Sequence, residues 1–250
     1  MLRAFEGIKE PQSMKNKVFA TFTDAVADIA DGVTVMIPGF GGKGFPRNLI
    51  DALNIQGAQN LTIISNYHGR GGKEVDHGIL VENGQVKKII CAFTAAPHPS
   101  QAVAFETLHE AGEIEAELVP QGTLAERIRA GGAGIGAFYT PTGVGTEIAK
   151  DKEHREINGR IHILEHPLRA DYAFLKAWRS DTFGNLQFRR SARNFNPIMG
   201  MAAQTTIVEI EHEIVEVGTI DPDHVHLPGI YVSRIIMIPP DGLTDTIFIR

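Results

Sequence analysis

The chain has 250 residues, 43% hydrophobic and 22% charged, an ordinary globular composition long enough for one sizeable core. Thirty acidic against twenty-four basic residues give a net charge of −6, which argues against a nucleic-acid-binding surface. The single cysteine, Cys91, excludes an intrachain disulfide and a cysteine-rich metal centre.

Residues 1–14 fit no element and are expected to form a flexible extension ahead of one domain spanning 15–250. They lack the apolar core of a secretory signal, and no apolar run reaches the roughly 18 residues of a membrane span, so the cytoplasm is the expected compartment. Residues 23–30 read as a short helix that stops before Gly32. Residues 33–37 form a β-branched, apolar run bounded by turn residues, the pattern of a buried strand. The run empties into a loop with four glycines in six positions, Gly39, Gly41, Gly42 and Gly44. Pro46 then stands at a first-turn helix position that needs no N–H. The helix runs to Leu53 and closes at Gly57. Strands are expected at 61–65 and 87–93, then a helix capped by Ser100 that runs to about Glu110 and ends at Gly112. A strand at 114–119 follows. Thr123-Leu124-Ala125-Glu126 reads as a capping box that opens a helix fraying at Gly131-Gly132. Elements alternating in this way predict an α/β fold, a mainly parallel sheet flanked by helices. The last third is strand-rich. Asn158-Gly159 suits a type I′ hairpin turn. Residues 172–178, 186–188, 205–211 and 230–238 read as strands, with a turn at Phe183-Gly184-Asn185.

The glycine loop satisfies G-x-G-x-x-G between a strand and a helix, which raises a dinucleotide site. That reading expects an acidic residue at the end of the second strand, where the chain has Ser65-Asn66-Tyr67-His68. A tight turn packing helix on strand is the bland alternative. A third reading brings bare backbone N–H groups up to a pyrophosphate or acyl thioester. Other candidates are weaker. Cys91 lies in an apolar run with no cationic neighbour to activate it. Asp221-Pro222-Asp223-His224-Val225-His226 offers His-x-His and two carboxylates without a further ligand, and reads as a surface turn. Arg189, Arg190 and Arg193 suit one phosphate group, but fit a solvated edge or an intersubunit salt bridge better.

At Asp31-Gly32, Val35-Met36-Ile37, Gly39-Phe40 and Gly44-Phe45-Pro46 the chain resembles the signature of family I CoA-transferases, in their A-type chain. Pro38 departs from the pattern where a glycine is usual and removes one N–H, so no binding role carries over to it. Further blocks resemble the family at 119–129, at 131–134 with 140–146, and at Ser191-Ala192-Arg193-Asn194-Phe195-Asn196-Pro197, so the likeness covers about residues 15–236. It is strongest toward 3-oxoacid CoA-transferases, those acting on 3-oxoadipate ahead of acetoacetate enzymes. The resemblance implies CoA thioesters as substrates, with no permanently bound cofactor. It implies Gly39, Phe40, Gly41, Gly42, Lys43 and Gly44 as the CoA-binding loop. It places the catalytic glutamate on a partner B subunit, so no catalytic side chain is assigned here. Val81-Glu82-Asn83-Gly84 imitates the context of that glutamate, but Glu82 reads as a solvated turn residue. Residues 92–99 are less family-like and are expected to line an acyl pocket. Two alternatives keep the fold: a thioester hydrolase or carbon–carbon-cleaving (ring-cleaving) relative, and a non-catalytic ligand-sensing domain.

Overall fold

A computed structural model describes residues 16–70, 75–94 and 103–243. The expected extension at 1–14, the Ser100 cap and most of the expected acyl-pocket segment lie outside the described residues. Helix and strand alternate through the first half: α1 Phe22–Val26, β1 Thr34–Ile37, α2 Arg47–Gln56, β2 Leu61–Ser65, α3 Gly78–Glu82, β3 Val86–Cys91, α4 Ala104–Glu110, β4 Glu115–Leu118 and α5 Gln121–Ala133. The second half adds β5 Phe138–Thr140, β6 His154–Ile157, β7 Arg160–Glu165, β8 Ala170–Asp181, β9 Leu186–Gln187, α6 Asn196–Ala202, β10 Ala203–Val215 and β11 Arg234–Met237.

The main sheet runs β11-β10-β8-β1-β2-β3-β4, all parallel, with β9 antiparallel against β8. Strand side chains alternate between faces, and both faces are covered. Val35, Ile37, Ile63 and Ile89 pack with α1 to α4 in one core cluster. Met36, Ile64 and Ile90 pack with α5 and α6 in the other. That two-sided burial is why the strands read as continuous apolar runs. In α2, Leu49, Ile50 and Leu53 are buried while Ile55 faces out, so one helical stripe is committed to the core. Strand order runs outward in both directions from the β1–β8 boundary, the topological switch point where an open α/β sheet leaves a crevice beyond its strand ends. The glycine loop begins there. A separate antiparallel sheet, β5-β7-β6, carries the expected hairpin, with Asn158 and Gly159 at φ 50° and 74°.

Several boundaries move. The expected helix at 23–30 stops at Val26. Arg234 takes the Ala25 carbonyl at 2.5 Å and the Asp28 carboxylate at 2.6 and 2.7 Å, which breaks the helical path. The capping box at Thr123 is not used: α5 starts two residues earlier behind Pro120, whose carbonyl accepts the Leu124 N–H at 2.8 Å, and Thr123 is buried. Gly131 and Gly132 remain helical. A Cβ on Gly131 would lie 1.9 Å from the Leu168 carbonyl oxygen, and one on Gly132 would lie 2.8 Å from Met201, so these glycines admit close packing and Gly134, at φ 73°, ends the helix. The strand expected at 230–238 is confined to Arg234–Met237, because Gly229–Tyr231 turns as a 3₁₀ segment after Pro228.

Candidate active site

The glycine loop is a tight hairpin. Phe40 donates its N–H to the Lys43 carbonyl at 3.0 Å, and Lys43 returns the bond at 3.1 Å. Gly41 and Gly42 span the tip at φ 56° and 80°, both left-handed, as a two-residue type I′ turn requires. The Gly39 N–H donates to Asn194 Oδ1 at 3.2 Å. Three of the N–H groups expected to face a ligand are therefore committed within the protein. Those of Gly41 and Gly42 meet no acceptor among the described residues. The four glycines also divide by cause. A Cβ on Gly39 would strike the Phe45 ring at 2.2 Å, and one on Gly44 would lie 2.5 Å from the Ala192 carbonyl oxygen. Around Gly41 and Gly42 there is open space.

The hairpin is gripped by residues to which the sequence alone assigns no task. Asn194 Nδ2 donates to the Lys43 carbonyl at 3.1 Å. Asn196 Nδ2 donates to the Gly44 carbonyl at 3.1 Å, while its Oδ1 accepts the Lys176 N–H at 2.9 Å. The available signal was Asn-x-Asn following the arginine stretch, within the family-like block at 191–197.

Beside the turn opens a cavity of about 240 Å³. Phe40, Phe45, Tyr67 and Phe93 give it aromatic walls; Arg47, Arg70, Asn66 and Gln121 supply polar ones. Parallel register between β1 and β2 aligns Ile37 with Ser65, so the segment after β2 lies next to the glycine turn. Gln121 Nε2 donates to Asn66 Oδ1 at 2.7 Å, joining the start of α5 to that segment. Arg47 is 4% exposed and donates to the Val75 carbonyl at 2.5 Å and the Gly42 carbonyl at 3.4 Å. Asp76 is the buried carboxylate here. It accepts the Tyr67 hydroxyl at 2.5 Å and the N–H groups of Arg70 and Gly78 at 3.0 and 2.8 Å. So many donors suit it to hold the segment in shape, and poorly to attack a substrate. Burial, then the Asp76 charge, pushes the Tyr67 hydroxyl above its ordinary range and keeps it protonated. Burial lowers His68 and His77, which favours neutral rings; His77 Nε2 lies 2.8 Å from the Tyr67 carbonyl, as a donor to it.

The remaining candidates lie elsewhere. Glu82 is the exposed last residue of α3 and does not line the cavity. Cys91 is buried, and burial raises its thiol to about 12, so no thiolate forms near neutrality. Asp221 caps a short 3₁₀ turn at Pro222–His224, and His226 Nδ1 accepts the Phe188 N–H at 2.9 Å. Arg189 lies 4.4 Å over the Trp178 ring, which also stacks on His212. Arg190 and Arg193 are exposed on the turn leading to Asn194. No helix among the described residues is long and apolar enough to cross a membrane.

Comparison with known proteins shows the family of the chain. Residues 19–237 match the model of the coenzyme A transferase family. The A subunit of the 3-oxoadipate CoA-transferase of Pseudomonas putida is 49% identical over 225 residues, covering 90% of this chain and 95% of the relative. The A subunit of the probable succinyl-CoA:3-ketoacid coenzyme A transferase of Bacillus subtilis is 49% identical over 221 residues, 88% of this chain and 90% of the relative. The solved acyl-CoA transferase of Escherichia coli O157:H7, a thioester complex with CoA, superposes with a TM-score of 0.76 at 24% identity, over 96% of this chain and 50% of that longer one. At that identity the likeness concerns the fold. The chain belongs to the coenzyme A transferase family.

Proposed function

We propose that this chain is the A-type half of a heteromeric 3-oxoacid CoA-transferase that moves CoA from succinyl-CoA to a 3-oxo acid, 3-oxoadipate ahead of acetoacetate. The carrying observation is the aromatic and cationic cavity beside the Gly41-Gly42 tip, whose N–H groups meet no acceptor among the described residues. Among the described lining residues, two arginines against one carboxylate give the cavity a net positive field, which suits carboxylic acids and acyl chains ending in a carboxylate. The relatives named as A subunits support a B partner, and we assign the reactive glutamate to it. Its carboxylate adds to the thioester carbonyl, giving a mixed anhydride and CoA thiolate. The thiolate then attacks the glutamyl carbonyl, releasing the first acid and leaving a glutamyl-CoA thioester. The second acid runs the sequence backward. In this reading residues 39–44 lie along the coenzyme. The tip N–H groups donate to the oxyanion that develops at the acyl carbon, worth about 3 kcal/mol per well-placed donor. The enzyme works in the cytoplasm, as paired A–B heterodimers.

The test is co-expression with the B-type partner, following succinyl-CoA consumption with each acid. Activity is expected from the complex and absent from either chain alone. Gly42→Glu puts a carboxylate into open space at the tip, where a Cβ meets no protein atom within 4 Å. It should abolish coenzyme binding with the complex intact; undiminished turnover would reject the loop assignment.

A further inference from the structure

Glu209 on β10 is fully buried, and the proposed function gives it no role. Its Oε2 accepts the backbone N–H groups of Asn48 at 2.9 Å and Leu49 at 3.1 Å, and its Oε1 accepts Asn48 Nδ2 at 3.2 Å. A helix leaves the N–H groups of its first turn without intrahelical partners, and Pro46, ahead of α2, provides no side-chain cap. Glu209 therefore supplies from the neighbouring sheet what a serine or aspartate normally supplies locally. A buried carboxyl group is costly for a strand that an aliphatic residue would fill without penalty. The donors it satisfies offset that cost, while the positive end of α2 and its register partner Lys176 on β8 oppose the protonation that burial favours.

The same pair of strands holds the chain where the glycine turn runs into α2, at Gly44 and at the first turn of the helix. Through the Lys176 N–H and Asn196, β8 reaches the Gly44 carbonyl. Through Glu209, β10 reaches Asn48 and Leu49. Arg47 sits between, with its guanidinium on the Gly42 carbonyl. Asn48 adds a third tie, exchanging hydrogen bonds of 2.8 and 2.9 Å with the backbone of Leu243. We propose that Glu209 is a positioning residue that fixes the first turn of α2 and thereby the pose in which the Gly41-Gly42 tip meets the thioester. The claim rests on the coenzyme role given to that tip.

A tip that visits its binding pose only part of the time binds more weakly by that fraction, while the loaded complex reacts as before. In the assembled A–B complex, Glu209→Ala should raise KM for succinyl-CoA about tenfold and leave kcat within about twofold. Glu209→Gln keeps an acceptor oxygen and should fall between the two. Hydrogen exchange should show lost protection at the amides of Phe40, Lys43, Asn48 and Leu49 in E209A and partial retention in E209Q. An unchanged KM with only a lower melting temperature, or a fall in kcat at constant KM, would overturn the proposal. If the wild-type complex does not consume succinyl-CoA, the transferase reading fails separately. Exchange then still decides: protection equal to wild type in E209A refutes the positioning role, and lost protection upholds it.

Discussion

Gly39 and Gly41 look alike in the sequence and differ in what they do. Gly39 is held at φ 129° with the Phe45 ring over the place a Cβ would occupy, whereas Gly41 sits at a tip with empty space around it. Gly39→Ala should therefore cost about 1–3 kcal/mol of overpacking, with added backbone strain, and disturb Phe45 in the cavity wall. Gly41→Ala should cost about 1 kcal/mol, from the left-handed backbone alone. Chemical denaturation of the two variants measures the difference; equal losses would show that Phe45 yields freely. The run of glycines was legible as a tight loop leaving a buried strand, but the division of labour within it was not. Phe45 is near in sequence yet its ring direction is set by packing, and the Ala192, Asn194 and Asn196 contacts come from about 150 residues away. Arg47 and the Tyr67–Asp76 pair escaped for the same reason: their significance lies in a cavity that only the assembled sheet creates.

At the scale of elements, α2 shows how a helix start is decided outside its own sequence. Burial raises Glu209 to about 8, against the pull of Lys176 and the donors of Asn48 and Leu49. The folded protein thus keeps a proton that the unfolded chain loses near the ordinary glutamate value of about 4.3. The associated stability is complete below that value and declines as pH rises through about 8. Among the described residues the charges beside this group are Lys176 and, 3.7 Å from Lys176, Glu211. Glu209→Gln cannot titrate and should flatten the fall in melting temperature between about pH 5 and pH 9; an unaltered slope would assign the titration to another group. Periodicity made most elements readable, since strands buried on both faces leave unbroken apolar runs and α2 keeps one apolar stripe. It failed where tertiary contacts rule. Arg234 shortens α1, and Pro120 rather than Thr123 begins α5. The glycines of α5 continue the helix because Leu168 and Met201 press against them. The short helix α6 went unnoticed, because Asn-Pro at its start and Gly200 within it read as loop.

For the whole molecule, the arrangement of strands explains where chemistry is placed. The sheet grows in both directions from the boundary between β1 and β8, so the connection leaving β1 borders the crevice, and the chain puts its glycine turn there. The smaller sheet is anchored to this body by charge. Glu165 on β7 meets Lys152 at 2.5 Å and Arg127 of α5 at 3.7 Å, and Arg127 pairs with Glu117 of β4 at 2.8 Å. The cavity gathers cations, amides and aromatic walls, yet the one carboxylate among its described lining residues, Asp76, is occupied by donors from its own segment. Under the proposed transferase reading this site is half of a reaction centre, with the attacking carboxylate on the partner. The direct measurement is to load the assembled A–B complex with succinyl-CoA, omit the second acid, digest it and locate the glutamate that has gained the mass of CoA less one water. The account predicts that adduct on the partner polypeptide, with every peptide of this chain unlabelled. A CoA-bearing carboxylate on this chain, Glu82 above all, would contradict it.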